Sequence, residues 1–219
     1  VFLTPMLYFL PKAVLAATIV VAVISLIDFK TIALARRYRA ADFWAIVITI
    51  TVTLVAGVEE GVLAGVGASV GLHLYHTSRP HFAVVGQVPG SEHYRNVDRH
   101  DVVTDPHILS MRIDESLYFA NAAYLEDLVF AQVALRDDLT HVILMCPAVN
   151  AIDLSALEAL EEINTRLKES DIALHLSEVK GPVMDALQRS DFLNHLSGEI
   201  FLSHHHAVMA LRVRETADP

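Results

Sequence analysis

THVILMCPAVNAIDLSALEALEEINTRL, residues 140–167, is the stretch that decides how the larger part of this chain folds. Its opening run, VILMC at 142–146, is too short for a helix and rich in branched side chains, which predicts a buried strand. Pro147 has no N–H to give a sheet ladder and ends that strand. A tight loop over 148–153 follows, and Leu157, Leu160, Ile163 and Leu167 then recur at helical spacing. Asp153 and Ser155 sit where the loop meets the helix N-terminus, whose free N–H groups and dipole favour an anion or a polar contact. Ser155 with Glu158 three residues on has the pattern of a capping box. A phosphate on Ser155 would suit the same helix end, and the two roles are not exclusive. Any working surface of this part is expected here, on Asn150, Asp153 and Ser155.

On either side of this stretch, strand-like and helix-like segments alternate. Residues 82–88 read as a strand stopped by Pro89-Gly90, residues 91–106 as a polar loop, and 108–113 as a second strand. Residues 120–136 place Tyr124, Leu128, Ala131 and Leu135 on one helical face. Beyond the central helix come a strand at 172–176, a short helix at 182–189 with Gly181 as cap and Pro182 at its first position, a strand at 199–202 and a helix at 204–214 capped by Ser203. This alternation predicts an α/β domain with a mostly parallel or mixed sheet covered by helices.

Charge and hydropathy separate this domain from what precedes it. Through residue 80 there are six Lys/Arg against four acids; the remainder carries ten against 22. An apolar, slightly basic first third before an acidic domain predicts membrane helices over 1–80 and a soluble domain over 81–219. The acidic domain would repel phosphates, so nucleic acid is excluded as a partner. Residues 10–27 nearly span a hydrocarbon core, with Lys12 able to snorkel to an interface. A loop over 28–42 with Lys30, Arg36, Arg37 and Arg39 is expected on the cytoplasmic side. Residues 43–58 and 61–75 read as a helical hairpin turning at Val58-Glu59-Glu60-Gly61, with intramembrane functional acids as the alternative for Glu59 and Glu60. Ala64, Gly65, Gly67, Ala68, Ser69 and Gly71 would let the second helix of the pair pack closely on a neighbour. Counted from the loop at 28–42, the acidic domain is cytoplasmic. The absence of a signal-peptide pattern and the apolar start at Val1 lead us to expect the C-terminal portion of a longer chain.

Chemistry-bearing patterns are few. Cys146 reads as a small core residue in a reducing compartment. His204, His205 and His206 point in different directions on a helix, with no Cys or nearby carboxylate to complete a metal set, and are expected on the surface. Asp137-Asp138 and Glu161-Glu162 read as solvated charge. With no nucleophile–base constellation and no glycine-rich phosphate loop, no catalytic residue, metal or cofactor is expected.

Residues 140–167 resemble the core of a STAS domain, the fold shared by anti-sigma-factor antagonists and the cytoplasmic tails of SulP-type anion permeases. FLPKAVLAATIVVAVISLIDFK at 9–30 and GVEEGVLAGVGASVGLHLYH at 57–76 are similar to the last membrane helices of those permeases, and HLSEVKGPVMDAL at 175–187 to their tails. The resemblance implies a multi-pass transporter of the cell membrane for sulfate or a related inorganic anion, a homodimer built on two inverted repeats. The anion site would lie upstream, so no substrate-binding residue is expected in residues 1–219. The STAS tail would be a regulatory or protein-binding module. In the antagonists the phosphorylatable residue directly follows an Asp; here Leu154 stands between Asp153 and Ser155, an offset match. A membrane-tethered STAS module without transport is the competing expectation.

Overall fold

The computed structural model describes residues 12–25 and 28–217. The chain divides into two compact units, Val1–His73 and Leu74–Pro219. The expected span at 10–27 is described only over α1, Lys12–Ser25; its remaining residues lie outside the described ones. The expected loop at 28–42 is instead a helix, α2, Phe29–Tyr38. The Asp28 carboxylate caps it, accepting from the Lys30 and Thr31 N–H groups at 2.9 and 3.2 Å. Arg36 and Arg37 fall in its last turn, where cations complement the dipole. An N-cap followed by good helix formers outweighed the charge density that suggested a loop.

Helix α3, Ala40–Val55, is followed by α4, Val58–Thr77. The turn between them is at Ala56-Gly57, earlier than expected, because Gly57 adopts a φ of +127° that side chains with a Cβ rarely reach. Glu59 and Glu60 therefore belong to the first turn of α4, facing its positive dipole end. Gly61 and Gly65 of α4 lie directly against Thr53 and Thr49 of α3, so a Cβ at either would overlap a threonine hydroxyl. Close small-residue packing is thus real at Gly65, while nothing lies within 4 Å of a Cβ at Gly67 or Gly71. Among the described residues, no helix is both long and apolar enough to cross a membrane.

The second unit is a six-stranded sheet in the order β2-β1-β3-β4-β5-β6. β1 is Phe82–Gln87, β2 Tyr94–Asn96, β3 Ile108–Ile113, β4 His141–Met145, β5 Ala173–Ser177 and β6 Ile200–Phe201. β1 pairs antiparallel with both β2 and β3; β3 through β6 run parallel. β2 was not legible in the polar 91–106 segment, since Tyr-Arg-Asn carries no apolar alternation. The connecting helices are α5, Ala122–Val133; α6, Leu154–Glu169; α7, Gly181–Gln188; the short α8, Phe192–His195; and α9, His204–Ala217.

β4 and β5 are buried from both sides because helices cover both faces of the sheet. Leu109, Met111, Ile113, Val142, Leu144, Leu174 and Leu176 make one core with α5 and α6. Ala83, Val85, Tyr94, Ile108, Ile143 and Phe201 make a second with Ala207, Val208 and Leu211 of α9. α6 inserts Leu160, Ile163 and Leu167 as its spacing predicts, and Leu157 packs at the edge. α5 is rotated from the expected face: it buries Ala122, Leu125 and Val129, while Leu135 lies beyond its end and is 75% exposed.

Candidate functional site

The carboxyl ends of the parallel strands β3, β4 and β5 lead into three segments that meet at one end of the sheet. In open α/β sheets this is the end where ligands and partners are received. The β3 segment is 114–121, the β4 segment 146–153, and the β5 segment 178–180. A short parallel bridge between Leu117 and Ile152 joins the first two. Around it, the Leu117 N–H donates to the Ala151 carbonyl at 3.1 Å and the Asp153 N–H to the Leu117 carbonyl at 3.2 Å.

Asp153 is the centre of this junction. One carboxylate oxygen accepts from the Ala156 N–H at 2.9 Å and caps α6; the other accepts from the Phe119 N–H at 2.8 Å and holds the β3 segment. Asp153 is therefore the N-cap, and the expected capping box of Ser155 with Glu158 does not form. The loop enters the helix two residues earlier than the pattern suggested, because only Asp153 satisfies both the helix end and the neighbouring segment. Ser155 stands inside the first turn, exposed.

Asn150 is exposed at the loop tip, yet fixed on three sides. Its N–H donates to the Ser116 hydroxyl at 3.2 Å, its amide nitrogen to the Ala148 carbonyl at 3.1 Å, and its amide oxygen accepts from Lys180 Nζ at 2.7 Å. Asn121, fully buried, organises the β3 segment: its Oδ1 accepts from the Tyr118 N–H at 3.0 Å and its Nδ2 donates to the Ser116 carbonyl at 2.9 Å. Sequence reasoning missed Asn121, Ser116 and Lys180, since only the fold brings them to the loop. Phe119 and Leu154, 65% and 70% exposed, flank Asp153 on either side. Two uncovered apolar side chains thus lie beside a hydrogen-bonded polar loop.

Elsewhere the chemistry is quiet. Cys146 follows β4 directly, and burial, with Glu178 nearby, pushes its thiol up to about 12, so it is unreactive. Among the described residues no group of three His, Cys, Asp or Glu could hold a metal ion. The histidines need a correction: His206 is exposed, but His204 is buried, its Nδ1 3.0 Å from the Ser177 hydroxyl. Helix α9 begins at His204, with the Ser203 hydroxyl accepting from the His206 N–H as expected of a cap, and this turns His204 toward the sheet.

Residues 1–49 match the sulfate permease family and residues 99–207 the STAS domain. The chain belongs to the sulfate permease family. Its second unit is a STAS domain. Over 211 residues the chain is 36% identical to sulfate transporter 4.1, chloroplastic, of Arabidopsis thaliana, covering 91% of this chain and 31% of that protein. The structure of SLC26A9 superposes with a TM-score of 0.81 at 22% identity, over 95% of this chain and 36% of that one. The inward-facing structure of the murine solute carrier 26 family member A9 anion transporter gives 0.78, also at 22% identity, over 93% and 34%. These two likenesses establish a shared fold. The chain spans about a third of the length of the curated relative.

Proposed function

We propose that this chain is the C-terminal part of a secondary transporter for sulfate or a related inorganic anion. Residues 1–80 would supply the last transmembrane, gate-side helices and residues 81–219 a cytoplasmic STAS module. The observation that carries this reading is the order of the two family matches in one chain, sulfate permease at 1–49 and STAS at 99–207. The outward-facing Ile19, Val21, Leu54 and Leu63 of α1, α3 and α4 support a lipid-facing role for the first unit. The substrate site would lie upstream, and neither catalysis nor a cofactor is part of the reading. Reconstituted in vesicles, the full-length transporter should take up radiolabelled sulfate saturably, while residues 1–219 alone should not. Saturable uptake by the fragment would place the site within it, and no uptake of any inorganic anion by the full-length protein would end the transport reading.

The STAS module acts in this reading as a regulatory or interaction surface centred on Asn150, Asp153 and Ser155. What supports it is the exposed pair Phe119 and Leu154 around a loop whose polar groups are already fixed. Homodimerisation and the cytoplasmic placement of the module belong to the same proposal. Single cysteines placed in 28–42 or after residue 81, on a Cys146→Ala background, should resist an impermeant reagent applied to intact cells. Labelling from outside at either place would reverse the topology.

A further inference from the structure

The two faces of the STAS sheet differ in what they bury. Along β5, Leu174 and Leu176 enter the apolar core under α5 and α6, while His175 and Ser177 turn toward the face covered by α9. On that second face His175, Ser177 and His204 are all buried.

The hydrogen bonds fix the imidazoles as neutral tautomers. The Glu199 N–H donates to His175 Nδ1 at 2.9 Å, so the ring proton of His175 is on Nε2, where it meets His141 Nδ1 at 3.1 Å. A second proton on His175 would set two donors against each other at Glu199. His204 is held between Ser177 and Tyr94: its ring stands at 89° to the phenol with centroids 4.4 Å apart. At that separation a phenol edge has no room over an imidazole face, so it is the smaller imidazole that points its edge at the phenol face. Its Nε2 is buried with no hydrogen-bond partner, which fits an N–H directed at the ring and leaves Nδ1 to accept from the Ser177 hydroxyl.

The charged groups around these rings are paired or of the same sign, and Glu199 offsets a new positive charge on His175 only in part. Glu199 is paired with Arg214 of α9 at 2.7 Å, and Asp105 with Arg212 of α9 at 2.8 Å. Glu178 of the turn after β5 faces the His204 backbone N–H at 3.4 Å rather than its ring. His205 lies toward Tyr94 and His206 toward Phe201, so the remaining titratable neighbours on α9 add charge of the same sign. His141 on β4 does the same for His175.

We propose that the α9 face is an acid-released latch: protonation of His175 and His204 undocks α9 from the sheet, while the α5–α6 face stays closed. Burial, with His141 beside it, lowers His175 to about 4; burial, with His205 beside it, lowers His204 to about 4. Both groups bind a proton more readily once α9 has opened and they reach their ordinary value near 6.5. Their contribution to docking is therefore complete above about pH 6.5 and is lost progressively as pH falls toward about 4.

The test is hydrogen exchange of the 219-residue chain in lipid nanodiscs between pH 7.5 and 4.5, corrected for intrinsic rates. Residues 204–217 should lose protection about tenfold or more by pH 5, with residues 154–169 unchanged. The double variant His175→Gln, His204→Gln, neutral throughout, should flatten that response. Unchanged protection of 204–217 at pH 5, simultaneous opening of 154–169, or a full response in the double variant would each overturn the latch. Imidazole titration by NMR in the unmodified chain decides the matter if the double variant does not fold. Titration of both rings near pH 4, together with release of α9, supports the latch; titration above pH 6 with α9 still docked overturns it.

Discussion

Isoleucine and leucine take opposite positions in the two units. Ile19 of α1 is 63% exposed and Leu54 of α3 81% exposed, whereas Ile143, Leu144, Ile163 and Leu174 of the STAS unit are completely buried. A helix apolar on all sides cannot satisfy itself in water and needs an apolar surrounding, whereas α6 has one apolar stripe and meets its need within the unit. The difference separates two kinds of cohesion. The STAS unit is held by burial of apolar area; the first unit, as far as its described residues go, by close approach of small residues at Gly61 and Gly65.

The largest test of that contrast is truncation. Ile163→Ala should destabilise the STAS unit by ~2–5 kcal/mol in chemical denaturation followed by circular dichroism. Ile19→Ala should leave the same transition unmoved; equal losses for both would erase the contrast. Overpacking probes the first unit. Gly65→Val forces a side chain onto Thr49 and should cost ~1–3 kcal/mol, read as a lower melting temperature in detergent. Gly67→Ala, with nothing near its added methyl, should instead gain ~0.5–1 kcal/mol from helix propensity. If the two glycine variants behaved alike, close approach would not be what joins α3 and α4.

Smaller effects sharpen the contrast at the junction. Asp153→Ala removes both the α6 cap and the tie to the Phe119 N–H and should cost ~1–2 kcal/mol. Ser155→Ala should stay within ~0.5 kcal/mol, and a larger loss would restore Ser155 as the cap. Ser155→Asp should likewise leave stability unchanged and alter sulfate uptake by the full-length transporter only mildly. A severalfold change in uptake at unchanged expression would make Ser155 a switch.

Legibility followed locality. β4, α6 and the STAS assignment were readable in 140–167 because apolar spacing and Pro147 are local signals. The face of α5 was misread because its Tyr124-Leu128-Ala131 spacing is as regular as the face actually buried; which stripe turns inward depends on the sheet beneath it. β2 was invisible because its pairing with β1, not its own composition, makes it a strand. At the junction, Asn150, Asp153 and Ser155 stood out by their place before a helix. The partners that fix the first two, Ser116, Phe119 and Lys180, come from more than 25 residues away in sequence, where no periodic signal reaches.

The sequence by itself determined the division into apolar helices and an acidic α/β domain, the parallel run of the sheet's centre, and the family. The first two rest on spacing and composition along short stretches of chain, and the family on the resemblance of particular segments. Only the tertiary structure decided that Asp153 rather than Ser155 caps α6, that His204 is buried against Tyr94, and that His175 bonds His141 and the Glu199 N–H. The physical reason is the same in each case. A polar group's role is set by the partners that remain when water is removed, and the fold brings those partners from other elements.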